Sequence, residues 1–275
     1  MYRKFTLINS KDEYWELANP NNRTFAGNPS GLGYSNTKSF IRIGDMDMET
    51  YSQFSLSDIT FAIVFYQDTN SQIYSAYSNF VKFLMHEPIT LKYDLPNGKS
   101  YQRKCAVGGI SKTEVDSSNS AMSCNLTLKP QEMWLGEAKT VEFSNTPLVQ
   151  QFTCESGIPT PLLLEFNGKL TNPKYTLYDA DDNEIGVGRF IGTFAKMVID
   201  SEDGYENIQL RLFSDSSKDV VNPYGYQDLT VVNYKNELLT FIKASVGLNK
   251  IKLETESSAD GWQAKVTYIE RFASV

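Results

Sequence analysis

The sequence predicts a mainly β protein with two domains and a single α-helix. Short stretches of alternating or continuous apolar, β-branched and aromatic residues recur along the 275 residues, separated by Gly, Pro, Asn and Asp. Apolar residues make up 41% of the chain and charged residues 21%, a composition that supports a packed core. The length fits one large domain or two ordinary ones.

The first half combines strand patterns with one helical pattern. We predict strands at residues 2–9, 14–17, 39–44, 59–66, 89–95, 99–107 and 121–128. Residues 71–86 instead carry apolar side chains at helical spacing, with Asn70 or Ser71 as the N-cap and Pro88 as the stop. We therefore expect an N-terminal β-sandwich or barrel that carries one helix, with His86 in its last turn.

The charge distribution suggests where the chain divides. Residues 1–135 hold 13 basic and 13 acidic side chains, whereas residues 136–275 hold 13 basic and 20 acidic ones, which accounts for the net charge of −7. Together with a stretch containing Pro, Gly and charged residues, this predicts an N-terminal domain at 1–135 and a linker at 136–145. Nine short strand patterns, two of them at residues 227–232 and 238–243, then predict an antiparallel C-terminal sandwich at 146–275.

Several kinds of chemistry are excluded or find no support. A single histidine, His86, rules out metal sites that need two or three histidines and leaves one candidate base for a nucleophilic serine or cysteine. Cys105, Cys124 and Cys154 form no CxxC pair, so we expect buried free thiols. No catalytic residue, metal ligand or cofactor motif is nominated, which favours a structural or binding protein over an enzyme.

The sequence also limits where the protein acts. The acidic second half argues against duplex nucleic acid as a partner, because phosphate binding needs a basic face. The longest apolar run, residues 61–66, is far shorter than the roughly 20 residues that cross a bilayer. The N-terminal stretch lacks the apolar region of an export signal, so we expect synthesis in the cytoplasm without a signal peptide and no membrane insertion.

Three aromatic side chains in the second half are weak candidates for binding sugars. Tyr224, Tyr226 and Trp262 lie in or beside predicted turns, where an exposed ring could stack on a sugar. Ordinary packing in the core or at a sheet edge is the alternative for all three.

Several stretches together resemble the distal tail protein family of long-tailed bacteriophages, the siphovirus-type tail component. They are residues 5–11 (FTLINSK), 19–20 (NP), 28–34 (NPSGLGY), 80–84 (FVKFL), 87–93 (EPITLKY) and 268–275 (YIERFASV). The resemblance implies an N-terminal β-sandwich with a helix and a hairpin arm, and a galectin-like or carbohydrate-module-like C-terminal sandwich.

The resemblance also implies a function and partners. Six copies would form a ring at the virion tail tip that joins the tail tube to the tail-tip hub, with DNA passing through the bore. In larger relatives inserted modules bind host sugars; this chain has no room for such a module, which argues against direct binding of host sugars but leaves it possible. We expect the loop with Asn28, Gly31 and Gly33 to set a ring contact, the alternative being an ordinary loop inside one subunit. The runner-up function is a monomeric carbohydrate-binding protein.

Overall fold

A computed structural model of the chain describes residues 3–27, 29–43, 45–116, 120–144, 149–190, 193–202, 206–212, 220–222, 241–256 and 262–275. The chain divides into two units. The N-terminal unit comprises Met1–Gly136 together with Phe272–Val275, and the C-terminal unit comprises Glu137–Arg271. Residues 272–275 therefore return to the N-terminal unit, which a division at residue 135 alone does not anticipate.

The N-terminal unit is built from antiparallel strands and one α-helix. Its elements are β1 (Lys4–Ile8), β2 (Tyr14–Glu16), β3 (Thr24–Ala26), β4 (Tyr34–Ile43), β5 (Met46–Leu56), β6 (Ile59–Tyr66), α1 (Asn70–Leu84), β7 (Ile89–Asp94), β8 (Ser100–Lys112), β9 (Ala121–Pro130) and the start of β10 (Trp134–Ser144).

The long strand β8 pairs with different strands along its length, within one sheet. Its first half pairs with β7, which leads through β1 to β2, and its second half pairs with β9, which leads through β6 to β3. The register shifts between Val107 and Gly109, a bulge of the kind that bends a strand. Alternate residues of β6 face inward because side chains alternate along a strand: Ile59, Phe61, Ile63 and Phe65 are all fully buried.

Helix α1 packs its apolar stripe into the same core. Ile73, Phe80, Phe83 and Leu84 are buried. The N-cap is Thr69, whose hydroxyl accepts a hydrogen bond from the Gln72 amide at 3.3 Å, and not the predicted Asn70 or Ser71. The helix ends at Leu84 with Met85 as its C-cap, so His86 follows the helix and does not lie in its last turn.

The C-terminal unit contains a further set of antiparallel strands. They are β11 (Val149–Cys154), β12 (Thr160–Thr171), β13 (Lys174–Tyr178), β14 (Glu184–Arg189), β15 (Thr193–Asp200), β16 (Asn207–Leu212), β17 (Val220–Asn222), β18 (Lys243–Ala244), β19 (Gly247–Glu254) and β20 (Gln263–Phe272). The order β17-β16-β15-β12-β20 forms one sheet, and β11-β19-β13-β14 forms the other.

Inward-facing side chains from both sheets form one core in this unit. Leu164, Ile199 and Val266 come from the first sheet, and Tyr175 and Ile251 from the second; all five are fully buried. Because each sheet buries one face against the other, the arrangement is a β-sandwich. The mainly β prediction, with one helix in the N-terminal half, is confirmed.

Two sequence predictions need comment. Residues 136–144 of the predicted linker belong to strand β10, because a solvent-facing strand tolerates the charged residues that suggested a connector. The strand predicted at residues 227–232 lies outside the described residues, as does most of the one at 238–243.

Candidate assembly surface

The structure places Trp262 in a position that does not suit sugar binding. Its side chain is 4% exposed and belongs to the core of the C-terminal unit, so no open ring face is available for stacking. Trp262, Ala264, Val266 and Tyr268 alternate inward along the chain at the start of β20. Tyr224 and Tyr226 lie outside the described residues.

The conformation of Gly31 is explained by a contact inside the chain. Its φ is +80°, and a Cβ atom at this position would lie 1.8 Å from the carbonyl oxygen of Asp58. Only glycine fits such a close backbone approach at positive φ. The glycine at position 31 therefore does not by itself indicate a ring contact, and the predicted role of this loop stays a prediction.

The end of the same loop also packs within the N-terminal unit. The Leu32 carbonyl accepts a hydrogen bond from Trp134 Nε1 at 2.9 Å. A Cβ atom at Gly33 would lie 3.6 Å from Ser274 Oγ. Asn28 lies outside the described residues.

Strands β4 and β5 form a hairpin whose side chains point into solvent. Within the described part of the chain, the two strands pair with each other and with no other strand. Their register runs from the pair Tyr34 and Leu56 to the pair Ile43 and Met46, with a bulge after Ser39. Every described side chain from Tyr34 to Ser55 is exposed. A two-stranded hairpin of this kind is marginally stable in water on its own.

The distal end of this hairpin carries an apolar face. Ile41 lies directly opposite Met48, and Met46 lies two residues before Met48 on the same strand. Because side chains alternate along a strand, all three lie on one side of the hairpin. Their side chains are 55%, 52% and 74% exposed for Ile41, Met48 and Met46 respectively. We call these three residues the hairpin tip face. Exposed apolar clusters on otherwise polar surfaces mark sites of protein contact.

The opposite side of the hairpin carries charged and aromatic side chains, including Phe40, which lies opposite Glu49 and is 56% exposed. Lys38 Nζ lies 2.8 Å from Glu49 Oε2, and both side chains are partly exposed. At the base, the rings of Tyr34 and Phe54 stack with centroids 5.0 Å apart. These contacts favour the extended hairpin and leave the tip face uncovered.

Sequence reasoning located β4 but missed β5, and so missed the tip face. The alternation of Met46 and Met48 with Asp47 and Glu49 was the available signal, since strict alternation indicates a strand with one apolar side. The hairpin arm was expected only through the family resemblance.

The histidine and the three cysteines, the side chains most often used in catalysis, do not lie on the hairpin tip face. The ring Nε2 of His86 lies 3.0 Å from Lys11 Nζ, at the protein surface. All three cysteines are buried free thiols, and burial raises the pKa of Cys105 and of Cys124 to about 12. Among the described residues, no group of three or more His, Cys, Asp or Glu side chains is placed to hold a metal ion. In that same part of the chain, no helix is both long and apolar enough to cross a membrane.

The N-terminal unit matches a known protein family. Residues 4–131 match the family model of the distal tail protein N-terminal domain. The N-terminal unit is therefore a distal tail protein N-terminal domain, and the resemblance noted in the sequence is confirmed. No curated protein sequence matches the chain.

Solved structures extend the likeness to both units. The crystal structure of SPP1 Dit (gp 19.1), described as a paradigm of the hub adsorption apparatus in phages that infect Gram-positive bacteria, matches with a TM-score of 0.66 at 12% identity. That match covers 98% of this chain and 99% of the other. A chain of the phage P2 baseplate in its activated conformation with calcium matches over 100% of both chains, with a TM-score of 0.55 at 14% identity. The chain thus has the fold of a phage baseplate hub protein.

Proposed function

We propose that this chain is a non-enzymatic structural protein of a phage or prophage tail tip. Six copies form a closed ring that connects the tail tube to the tail-tip hub, and DNA passes through its bore. The observation that carries the proposal is the distal tail protein N-terminal domain at residues 4–131, in a chain with the fold of a hub protein.

The exposed hairpin supports assembly from copies of one chain. The hairpin tip face holds three apolar side chains that are each more than half exposed. In a ring of identical subunits, the same patch of every copy meets the same complementary surface of the next, so all six tips are covered. We assign the neighbouring copy as the occupant of the tip face.

The charge distribution suits such a ring. Residues 1–135 carry 13 basic and 13 acidic side chains, so six copies of this half meet without net repulsion. The excess acidic charge lies in residues 136–275, with 13 basic and 20 acidic side chains. Net charge there supports solubility without opposing contacts made by the N-terminal units.

The surroundings of the reactive groups support the proposed absence of catalysis. Among the described residues, the His86 ring nitrogen Nε2 has Lys11 Nζ as its hydrogen-bond partner, whereas a catalytic base would contact a serine or cysteine nucleophile. The sugar-binding alternative loses its described candidate, because the Trp262 ring is in the core.

Light scattering on a sizing column tests the ring directly. One chain has a mass of 31.1 kDa, and six chains have a mass of about 187 kDa. We expect a single sharp species near the larger mass. A mass of 31.1 kDa at every protein concentration measured would contradict the proposal.

A further inference from the structure

Residues 272–275 pack against the N-terminal unit and are part of it. The Phe272 ring meets Tyr101 edge-on, with centroids 5.2 Å apart. Phe272 and Val275 both pack against the hydrophobic core of the N-terminal unit. This short segment thus contributes to a core whose other members come from residues 5–134.

The same segment covers a buried cation. Arg103 is fully buried, and its Nη2 donates a hydrogen bond to the Ala273 carbonyl at 3.3 Å. The guanidinium carbon lies 4.5 Å from the centre of the Trp134 ring, a cation–π contact. Nε and Nη1 have no hydrogen-bond partner among the described residues. Burial lowers the pKa of Arg103 to about 10, because the charged form is desolvated.

Burying an arginine is costly, and the attraction of the Glu132 carboxylate offsets only part of that cost, because the pKa of Arg103 is still lowered. Its other contacts therefore matter for its position. One of them is the Ala273 carbonyl, and another is Trp134. Trp134 in turn donates to the Leu32 carbonyl at 2.9 Å. Ser274 lies beside Gly33, with its Cβ 4.0 Å from the position of a Cβ built on that glycine. Residues 272–275 are therefore connected to the loop at 29–33 in two ways. One is the chain of contacts from Ala273 through Arg103 and Trp134 to Leu32, and the other is the approach of Ser274 to Gly33.

We propose that residues 272–275 act as a strap that closes over Arg103 and holds the loop at 29–33 in place. The strap is a positioning device: Phe272 anchors it on Tyr101, Ala273 caps Arg103, and Ser274 buttresses Gly33. If the loop contributes to the ring, a seated strap is required for ring formation; that part of the inference rests on the proposed function.

A designed disulfide tests whether the strap is seated in solution. In the full chain with Gly33→Cys and Ser274→Cys, the Cβ atoms would lie about 4 Å apart, within the range that a disulfide bridges. We expect mild oxidation to join residues 33 and 274 within one chain, as read by peptide mapping. The control pair is Gly109→Cys with Ser274→Cys, because a Cβ at Gly109 has no atom within 4 Å. Equal cross-linking of both pairs, or none of the first, would overturn the strap.

Hydrogen exchange tests whether the strap holds the loop. In the full chain with Phe272→Ala, we expect the amides of residues 30–33 to exchange at least about tenfold faster, while those of β19 in the C-terminal unit keep their rates. Ile269→Ala is the matched control, since that side chain lies on the same strand and is 38% exposed. Unchanged exchange in the loop would overturn its dependence on the strap. If Phe272→Ala fails to fold, the exchange of the same loop in the oxidised and reduced disulfide variant decides, with slower exchange expected when oxidised.

The mass of the assembled protein tests separately whether a seated strap is compatible with the ring. We expect the oxidised disulfide variant to give the same assembled mass as the wild type, because the strap is already seated there. Loss of assembly on oxidation alone would contradict a seated strap in the ring. A wild type that forms no ring would contradict the proposed function, while the cross-link and the exchange would still report on the strap within one chain.

Discussion

The hairpin β4–β5 and the pair β6–β9 are both antiparallel ribbons of the N-terminal unit, but they cover their side chains differently. Alternate residues of β6, Ile59 to Phe65, are fully buried in the core that also contains the apolar side chains of helix α1. The hairpin has similar apolar residues at its tip, and those described are more than half exposed. Since buried apolar area is the main stabilising term of a fold, the first pair is stabilised from within the chain. Within the described residues the hairpin lacks that support, and we propose that a neighbouring copy supplies it.

The largest expected effect on the stability of one chain comes from Trp262→Ala, which extends the comparison to apolar burial in the core of the C-terminal unit. Removing a large buried aromatic side chain should lower the free energy of unfolding by about 3–5 kcal/mol. Thermal unfolding of the full chain measures it, with Val246→Ala as the control, because Val246 lies in the same unit and is 55% exposed. A Trp262→Ala variant that kept wild-type stability would contradict the buried placement of this ring.

Gly31→Ala should come next and report on packing inside the N-terminal unit. Positive φ and the close approach to the Asp58 carbonyl together should cost about 2–5 kcal/mol. Gly98→Ala separates the two causes, because Gly98 has a φ of +87° but open space at its Cβ position. That control should cost about 1–2 kcal/mol. Equal losses for both variants would show that the contact with Asp58 contributes nothing.

The rate of thiol labelling distinguishes the buried core strands from the exposed hairpin, with a smaller expected effect on stability than the two substitutions above. At pH 8, Cys105 and Cys124 should react with iodoacetamide on the order of 100-fold more slowly than a cysteine introduced at exposed Ser35. Burial raises the pKa of both native thiols from 9.0 to about 12. The folded chain therefore keeps these protons longer than the unfolded one, and stability should fall as the pH rises from about 9 towards 12. Labelling at the rate of the Ser35→Cys variant would contradict their burial.

The sequence predicted the parts of the fold that local pattern determines. The continuous apolar run at residues 59–66 and the helical spacing near residues 71–86 both became the expected elements, since the core requires those side chains. Strand β5 was missed because its described side chains up to Ser55 are exposed and do not pack in a core, so its sequence lacks a clear apolar strand pattern. Its many polar residues are also typical of a loop. Residues 272–275 could not be assigned to the N-terminal unit from sequence, because that packing joins Phe272 to Tyr101 across 171 positions of the chain.

The candidate surface was less predictable than the fold. Trp262 appeared beside turn residues, and sequence alone did not show that the alternation with Ala264 and Val266 points it inward. Gly31 was noticed, but the contact that requires glycine there, the Asp58 carbonyl, comes from a residue 27 positions later. The tip face depends on the pairing of Ile41 with Met48, and pairing between strands is a property of the folded chain.

The smallest effect on the stability of a single chain, and the largest on assembly, should come from the hairpin tip. Ile41→Ser with Met48→Ser removes two exposed apolar side chains, so the free energy of unfolding of one chain should change by no more than about 0.5 kcal/mol each. Lys38→Ser with Glu49→Ser is the matched control on the opposite side of the hairpin, where an exposed ion pair is worth at most about 1 kcal/mol.

Light scattering of the wild type and these two double variants is the most direct test of the account. We expect the wild type and the Lys38/Glu49 variant to form a species near 187 kDa, six times the 31.1 kDa chain, and the Ile41/Met48 variant to remain a folded single chain. If the Ile41/Met48 variant assembles as fully as the wild type, the hairpin tip face does not hold the ring together.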